Sequence, residues 1–160
     1  MTSTHLFETA GAERYFEDYV EGMDITFGSI SVDEEEVIEF AKRYDPQVFH
    51  TDPEKAKQSH YGGLIASGWH TSSMMMKLLT QHYLSDVSSL GSPGLDHIRW
   101  IAPVRPGDTL KVRLKITDAR KSQSKPDRGI VIAFIEVINQ NDVVVMDLTA
   151  TNFVACREPA

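Results

Sequence analysis

Residues 109–117 read TLKVRLKIT, with Leu110, Val112, Leu114 and Ile116 alternating with Lys111, Arg113 and Lys115. Side chains of an extended chain point to opposite faces in turn, so this pattern predicts a strand with one apolar face and one wet face. Working outward, GIVIAFIEVINQ (129–140) and DVVVMDLTATNFVA (142–155) are β-branched-rich runs joined through Asn139–Asp142, which predicts a hairpin. Upstream, LDHIRWIAP (95–103) predicts a further strand before the turn VRPGD, and SDVSSLGSPG (85–94) reads as a loop. The second half of the chain is therefore a run of strands.

The first half has a different period. Trp69, Ser72, Met76, Leu79 and Tyr83 recur at steps of three and four, with Met74, Met75 and Leu78 widening the apolar coverage. That spacing predicts a long helix from Ile65 to about Leu84, buried nearly all round. The three methionines are expected in the core, although their flexibility would also suit the wall of an acyl tunnel. Before it, Ser31 and Glu34 have capping-box spacing ahead of EEEVIEFAKRY, and the acidic first turn suits the helix dipole. Asp52 before Pro53 predicts an N-cap for a short second helix, which Gly62 and Gly63 end. MDITFGSISV (23–32) predicts one early strand. One strand, helices, then four strands predict an α+β domain with an antiparallel sheet and its helices on one face.

The 160 residues suit one domain, 1–160, with an N-terminal arm over about 1–14. A hydrophobic fraction of 41% and a charged fraction of 24% are those of a globular chain. The net charge of −7, without a long basic cluster, argues against nucleic acid as partner. The lone Cys156 makes no internal disulfide, and the first 25 residues hold no apolar run of signal or membrane type, so a cytoplasmic, non-membrane protein is expected.

Chemistry concentrates in YDPQVFHTDPEKAKQSHYGGLIASGWHT (44–71). Asp45 and His50 lie five positions apart on an irregular segment after the first helix, and Gly68 lies at the mouth of the long one. A carboxylate and an imidazole converging on one water would serve general acid and base work, and the unpaired amide of Gly68 at a helix start would stabilise an oxyanion. Each residue alone reads more simply: Asp45 as a turn residue before Pro46, His50 as a packing histidine. His60 and His70 read as packing residues, and the even spacing of His50, His60 and His70 matches no metal-ligand pattern. Arg99, Arg105 and Lys121 read as a solvated face.

The chain resembles the MaoC-like dehydratases, the group that includes (R)-specific enoyl-CoA hydratases. That family's signature runs aspartate, any residue, asparagine, proline, an aliphatic residue and histidine, then five residues and a small one; here it falls on Asp45, Pro46, Gln47, Val48, Phe49, His50 and Ala56. The aromatic, apolar pair and glycine at the mouth of the central helix fall on Tyr61, Ile65, Ala66 and Gly68, and APVRPGDTL matches the family's turn between sheet strands. Gln47 stands for the asparagine, Val48 for the proline, Arg43-Tyr44 for a Ser-Gly pair and Ser67 for a histidine. Glutamine keeps an amide donor and acceptor.

The resemblance implies a hotdog fold, an antiparallel sheet wrapped around a long central helix. It implies a hydro-lyase adding water reversibly to a 2-enoyl-CoA thioester to give a (3R)-3-hydroxyacyl-CoA. Asp45 and His50 would be catalytic, the Gly68 N–H the oxyanion donor, and Gln47, Ser67 and Tyr61 substrate-binding. It further implies no cofactor and no metal, with the coenzyme A thioester as substrate, and at least a homodimer. Two alternatives are a hotdog acyl-CoA thioesterase, in which a carboxylate activates water against the carbonyl, and a noncatalytic thioester-binding module.

Overall fold

The computed structural model describes residue 7 and residues 10–158; most of the expected arm, with His5, lies outside them. Two short 3-10 turns, Gly11–Glu13 and Phe16–Asp18, lead into β1 (Asp24–Ser31). Four helices follow: α1 (Glu34–Tyr44), α2 (Val48–Thr51), α3 (Pro53–Lys57) and α4 (Gly68–His82). Strands β2 (Gly94–Trp100), β3 (Thr109–Lys121), β4 (Arg128–Ile138) and β5 (Val144–Ala155) complete the chain. They form one antiparallel sheet in the order β1-β3-β4-β5-β2, wrapped around α4 as expected.

The alternation in β3 is the inner wall of the core. Leu110, Val112, Leu114 and Ile116 are fully buried, and Val131, Ala133, Ile135 and Val137 of β4 continue the same face. Met74, Met75, Leu78 and Leu79 of α4 close the other side. Complete burial of one such side chain contributes about 2–3 kcal/mol, so this shared layer rather than any hydrogen bond carries the fold. Close approach of helix and sheet depends on Gly28 in β1, at φ 83°, where the strand register shifts. A Cβ there would stand 2.9 Å from the Leu78 side chain. Glycine both supplies the left-handed backbone and leaves room for the leucine.

Three local expectations differ. The N-cap of α1 is Asp33, whose carboxylate accepts from the Glu36 N–H at 3.0 Å; Ser31 is still in β1, because strand pairing to Thr109 extends that far. The long helix starts at Gly68, since Ile65 and Ala66 spend their N–H groups on Phe49 and Val104 instead. It is not buried all round: Trp69 is 56% exposed and Met76 45%. The segregated layers cover only one side of α4. Asp52, by contrast, caps α3 as read, accepting from the N–H groups of Glu54 and Lys55 with Pro53 at the first position.

Candidate active site

The site lies where α1 ends, α2 turns and α4 begins. Asp45 is the C-cap of α1, its N–H donating to the Ala41 carbonyl at 2.8 Å. Pro46 stops the helix there, because its ring excludes the helical conformation for the residue before it. The chain then folds into the single turn of α2, with the His50 N–H on the Gln47 carbonyl at 2.9 Å, where the sequence suggested only an irregular segment. That turn swings His50 back toward Asp45.

His50 is 5% exposed, and its Nδ1 lies 2.7 Å from the Ile65 carbonyl. A carbonyl only accepts, so Nδ1 carries the proton and Nε2 presents its lone pair to the cavity in the neutral ring. Nε2 stands 3.3 Å from Asp45 Oδ2. The carboxylate is held on both oxygens: Gln47 Nε2 donates to Oδ1 at 2.8 Å, and Ser67 Oγ donates to Oδ2 at 2.7 Å. Burial would raise the Asp45 pKa, but the hydrogen bonds from Ser67 and Gln47 outweigh it, with a further lowering from the His50 charge only when that ring is protonated, and the net direction is downward. Asp45 is therefore an anion at neutral pH.

Ser67 is fully buried and is also the N-cap of α4, its Oγ accepting from the Trp69 N–H at 3.2 Å. One hydroxyl thus ties the end of α1 to the start of α4. Among the described residues nothing accepts the Gly68 N–H, which stays a free donor at the positive end of the helix. Asp45, Gln47, His50, Tyr61 and Gly68 line one cavity of about 580 Å³, so five of the six residues singled out in the sequence share it, and Ser67 supports it from behind. Tyr61 packs its ring on Phe49 at 5.1 Å, while Arg105 donates to its carbonyl and pins the glycine-rich loop.

Sequence reasoning missed Trp100, at the end of β2. A Cβ on Gly68 would lie 2.5 Å from Trp100 Cε2, so the indole lies directly on the glycine. The position must be glycine for that reason alone, whatever its amide does. Trp100 also meets Trp69 edge-on, with ring centroids 5.0 Å apart. Nothing local in the sequence marks a contact across 32 positions.

Other polar residues are accounted for elsewhere. Arg99 forms a two-point pair with the buried Asp147 on β5. His70 stacks on Phe40 at 4.7 Å, as a packing residue does. Among the described residues no group of three His, Cys, Asp or Glu is placed to hold a metal ion, and no helix is long and apolar enough to cross a membrane.

With this geometry in view, comparison with known proteins defines the class. The sequence model of the MaoC like domain matches residues 18–138, and the chain belongs to that family. The structure of a MaoC-like dehydratase from Rhodospirillum rubrum superposes with a TM-score of 0.84 at 36% identity, covering 91% of this chain and 99% of that one. The R-hydratase PhaJ1 from Pseudomonas aeruginosa, at 23% identity, shares the fold with a TM-score of 0.72 over 90% of this chain and 86% of its own. The Bacillus subtilis protein YdeM is 29% identical over 119 residues, 74% of this chain and 83% of YdeM.

Proposed function

We propose that this protein is a hydratase/dehydratase that adds water reversibly to the double bond of a 2-enoyl-CoA thioester, giving a (3R)-3-hydroxyacyl-CoA, with Asp45 and His50 as its catalytic pair. Family membership and the likeness to the R. rubrum dehydratase support a hydro-lyase. The observation that carries the reading is the pairing of two acceptors, Asp45 Oδ2 and His50 Nε2, 3.3 Å apart in a cavity that also holds an unpaired helix-start amide. Two lone pairs facing each other repel unless something donates to both. A water molecule does so, and its oxygen is left free to attack.

In the hydration direction the pair takes one proton from water while the water oxygen bonds to the β carbon. The π electrons move onto the thioester oxygen, where the Gly68 N–H receives the charge at the end of the α4 dipole. The enolate then collapses, and the α carbon takes up the proton that the pair had accepted. One proton enters the pair and one leaves, so the pair is regenerated without cofactor or metal. Ser67 acts through Asp45: its hydroxyl donates to Oδ2, away from any substrate. Gln47 holds Oδ1 through its side-chain nitrogen Nε2, which leaves the side-chain oxygen Oε1 to meet the substrate together with Tyr61.

The test is a panel of 2-enoyl-CoA thioesters followed at once for loss of conjugated-thioester absorbance and for free thiol. Absorbance loss without thiol is the expected result. Thiol release would replace the reading with a thioesterase, and activity on no member would leave a binding module. The proposal includes a homodimer paired through β2, an edge strand that leaves Leu95 45% and Trp100 44% exposed. Pairing would cover an edge otherwise open to uncontrolled association. Light scattering at micromolar concentration should give twice the 18.0 kDa chain mass, and a strict monomer would refute that part.

A further inference from the structure

Arg105, which the sequence assigns to a solvated face, is half-buried and reaches across to the glycine-rich loop. Its root in the VRPGD turn is fixed: the Arg105 N–H donates to Asp108 Oδ2 at 2.9 Å, and Gln140 Nε2 holds Oδ1 of that carboxylate at 3.0 Å. From there Nη2 donates to the Tyr61 carbonyl, and Nη1 lies against Gly63, where a Cβ would stand 3.2 Å from it. Among the described residues this is the only hydrogen bond that another element makes to residues 61–64. Gly62, at φ 68°, and Gly63 give that stretch little stiffness of its own, so its place depends on the clamp.

Two routes lead from the clamp to His50. One runs through rings: Tyr61 packs on Phe49 with centroids 5.1 Å apart, and Phe49 meets His50 edge-on at 4.6 Å. The other runs through backbone. The Ala66 N–H donates to the carbonyl of Val104, next to Arg105, at 2.8 Å, and the Ile65 N–H donates to the Phe49 carbonyl at 3.0 Å. The Ile65 carbonyl in turn holds His50 Nδ1 at 2.7 Å. That carbonyl works against Asp45. A neutral ring protonated on Nε2 would donate straight to the carboxylate 3.3 Å away, and it would then have no lone pair there for water. The proton stays on Nδ1 only while the loop keeps its carbonyl in place.

Resting on the hydratase reading above, we propose that Arg105 is a positioning residue for His50: by clamping the loop 61–66 it keeps the Ile65 carbonyl on Nδ1 and the Nε2 lone pair facing the cavity. Arg105 acts through the loop and not on the reacting atoms.

Nitrogen NMR of the full-length protein in mildly alkaline buffer reads the tautomer without any substrate, the His50 signals being identified by their loss in His50→Ala. The parent should show a protonated Nδ1 and a bare Nε2; a ring protonated on Nε2 overturns the proposal without any variant. Arg105→Met keeps the aliphatic stem and removes its donors. Its His50 signals should shift toward protonation on Nε2, and crotonyl-CoA turnover should fall at least about tenfold with KM changed less, as a misplaced catalytic group predicts. Arg105→Lys keeps one donor for the Tyr61 carbonyl and should recover most of both. Arg105→Gln, too short to reach that carbonyl, repeats the test should the Met variant not fold. A merely structural Arg105 would lower the melting temperature and leave the His50 signals in place, which overturns the proposal. So does a rise in KM alone with the parent tautomer, the mark of an arginine that meets substrate phosphates. The two readings fail separately. A shifted tautomer in a protein that hydrates no thioester refutes the hydratase and keeps the clamp, whereas hydration with His50 signals unmoved in the folded variants does the reverse.

Discussion

The two ends of α4 are built oppositely. At its start the Gly68 amide has no acceptor among the described residues and opens on a cavity with an ionised aspartate and a histidine. At its end the carbonyls are covered: Arg14 Nη1 donates to His82 and Tyr83 at 3.1 and 3.2 Å, and the Tyr19 hydroxyl donates to the Tyr83 carbonyl at 2.7 Å. The Arg14 guanidinium also lies 3.8 Å over the Phe7 ring, and the rings of Phe7, Tyr19 and Tyr83 meet within 5.1–6.1 Å of one another. A cation at a helix C-terminus opposes the dipole's negative end and satisfies orphan carbonyls. Burial pushes the Tyr19 phenol up to about 12 and Tyr83 higher still, so both remain neutral. One end is completed by the protein and supplies stability. The other is left incomplete, and an incomplete helix start is what the anionic transition state of the proposed reaction would use.

The comparison breaks most sharply at the open end. Asp45→Asn and His50→Ala should each lower turnover by about a hundredfold or more, with thermal stability close to the parent's. The double variant should lose far less than the product of the two, because both act on one water. Independent, multiplicative losses would show that they do not form a unit.

At the closed end the balance should reverse. Arg14→Ala removes a charged donor from two carbonyls and should cost about 2 kcal/mol of stability, read by denaturant unfolding, with turnover per folded molecule retained. A large drop in turnover at full folding would mean that the two ends are coupled.

Ser67→Ala sharpens the open end further. It should lower turnover about tenfold, a loss of about 1.4 kcal/mol in the transition state. The mechanism has a pH signature. Ser67 helps hold the Asp45 pKa down, so its removal should move the acid limb of kcat/KM to higher pH. The same sign governs stability: a depressed carboxyl stabilises the fold above its unfolded pKa of about 3.9, and that contribution fades as pH falls through the folded value. In Ser67→Ala it should fade at higher pH. A purely structural role for Ser67 would lower stability and leave the acid limb in place.

The smallest effect belongs to Tyr19→Phe, which deletes one neutral hydrogen bond at the closed end. It should cost about 1 kcal/mol of stability and leave the pH profile unchanged. Loss of activity beyond that would contradict the division of labour between the two ends.

Much of the fold was legible locally, and the site only in part. The strands were readable because burying one sheet face forces a two-residue period, as Leu110 to Ile116 show. Asp45, His50 and Gly68 were readable because their spacing matches a family signature. The exposure of Trp69 and Met76 was not, since an apolar helix face is written the same way whether or not a layer lies over it. The role of Ser67 was hidden too, because its hydroxyl meets a carboxylate 22 positions earlier and a lone Ser before Gly signals no more than a cap.

A family signature marked Asp45, His50 and Gly68, and the amino-acid order by itself determined most of the strands, turns and helices. Those features depend on backbone sterics and on side-chain period, which act over a few residues. Tertiary structure alone decided which groups meet: the Ser67 hydroxyl on Asp45, the Ile65 carbonyl that sets the His50 tautomer, and the Trp100 ring that lies over Gly68. It alone decided that Arg14 would seal the far end of the same helix. Contacts between distant segments depend on how whole layers pack, and packing is set by the complementary shapes of many side chains at once.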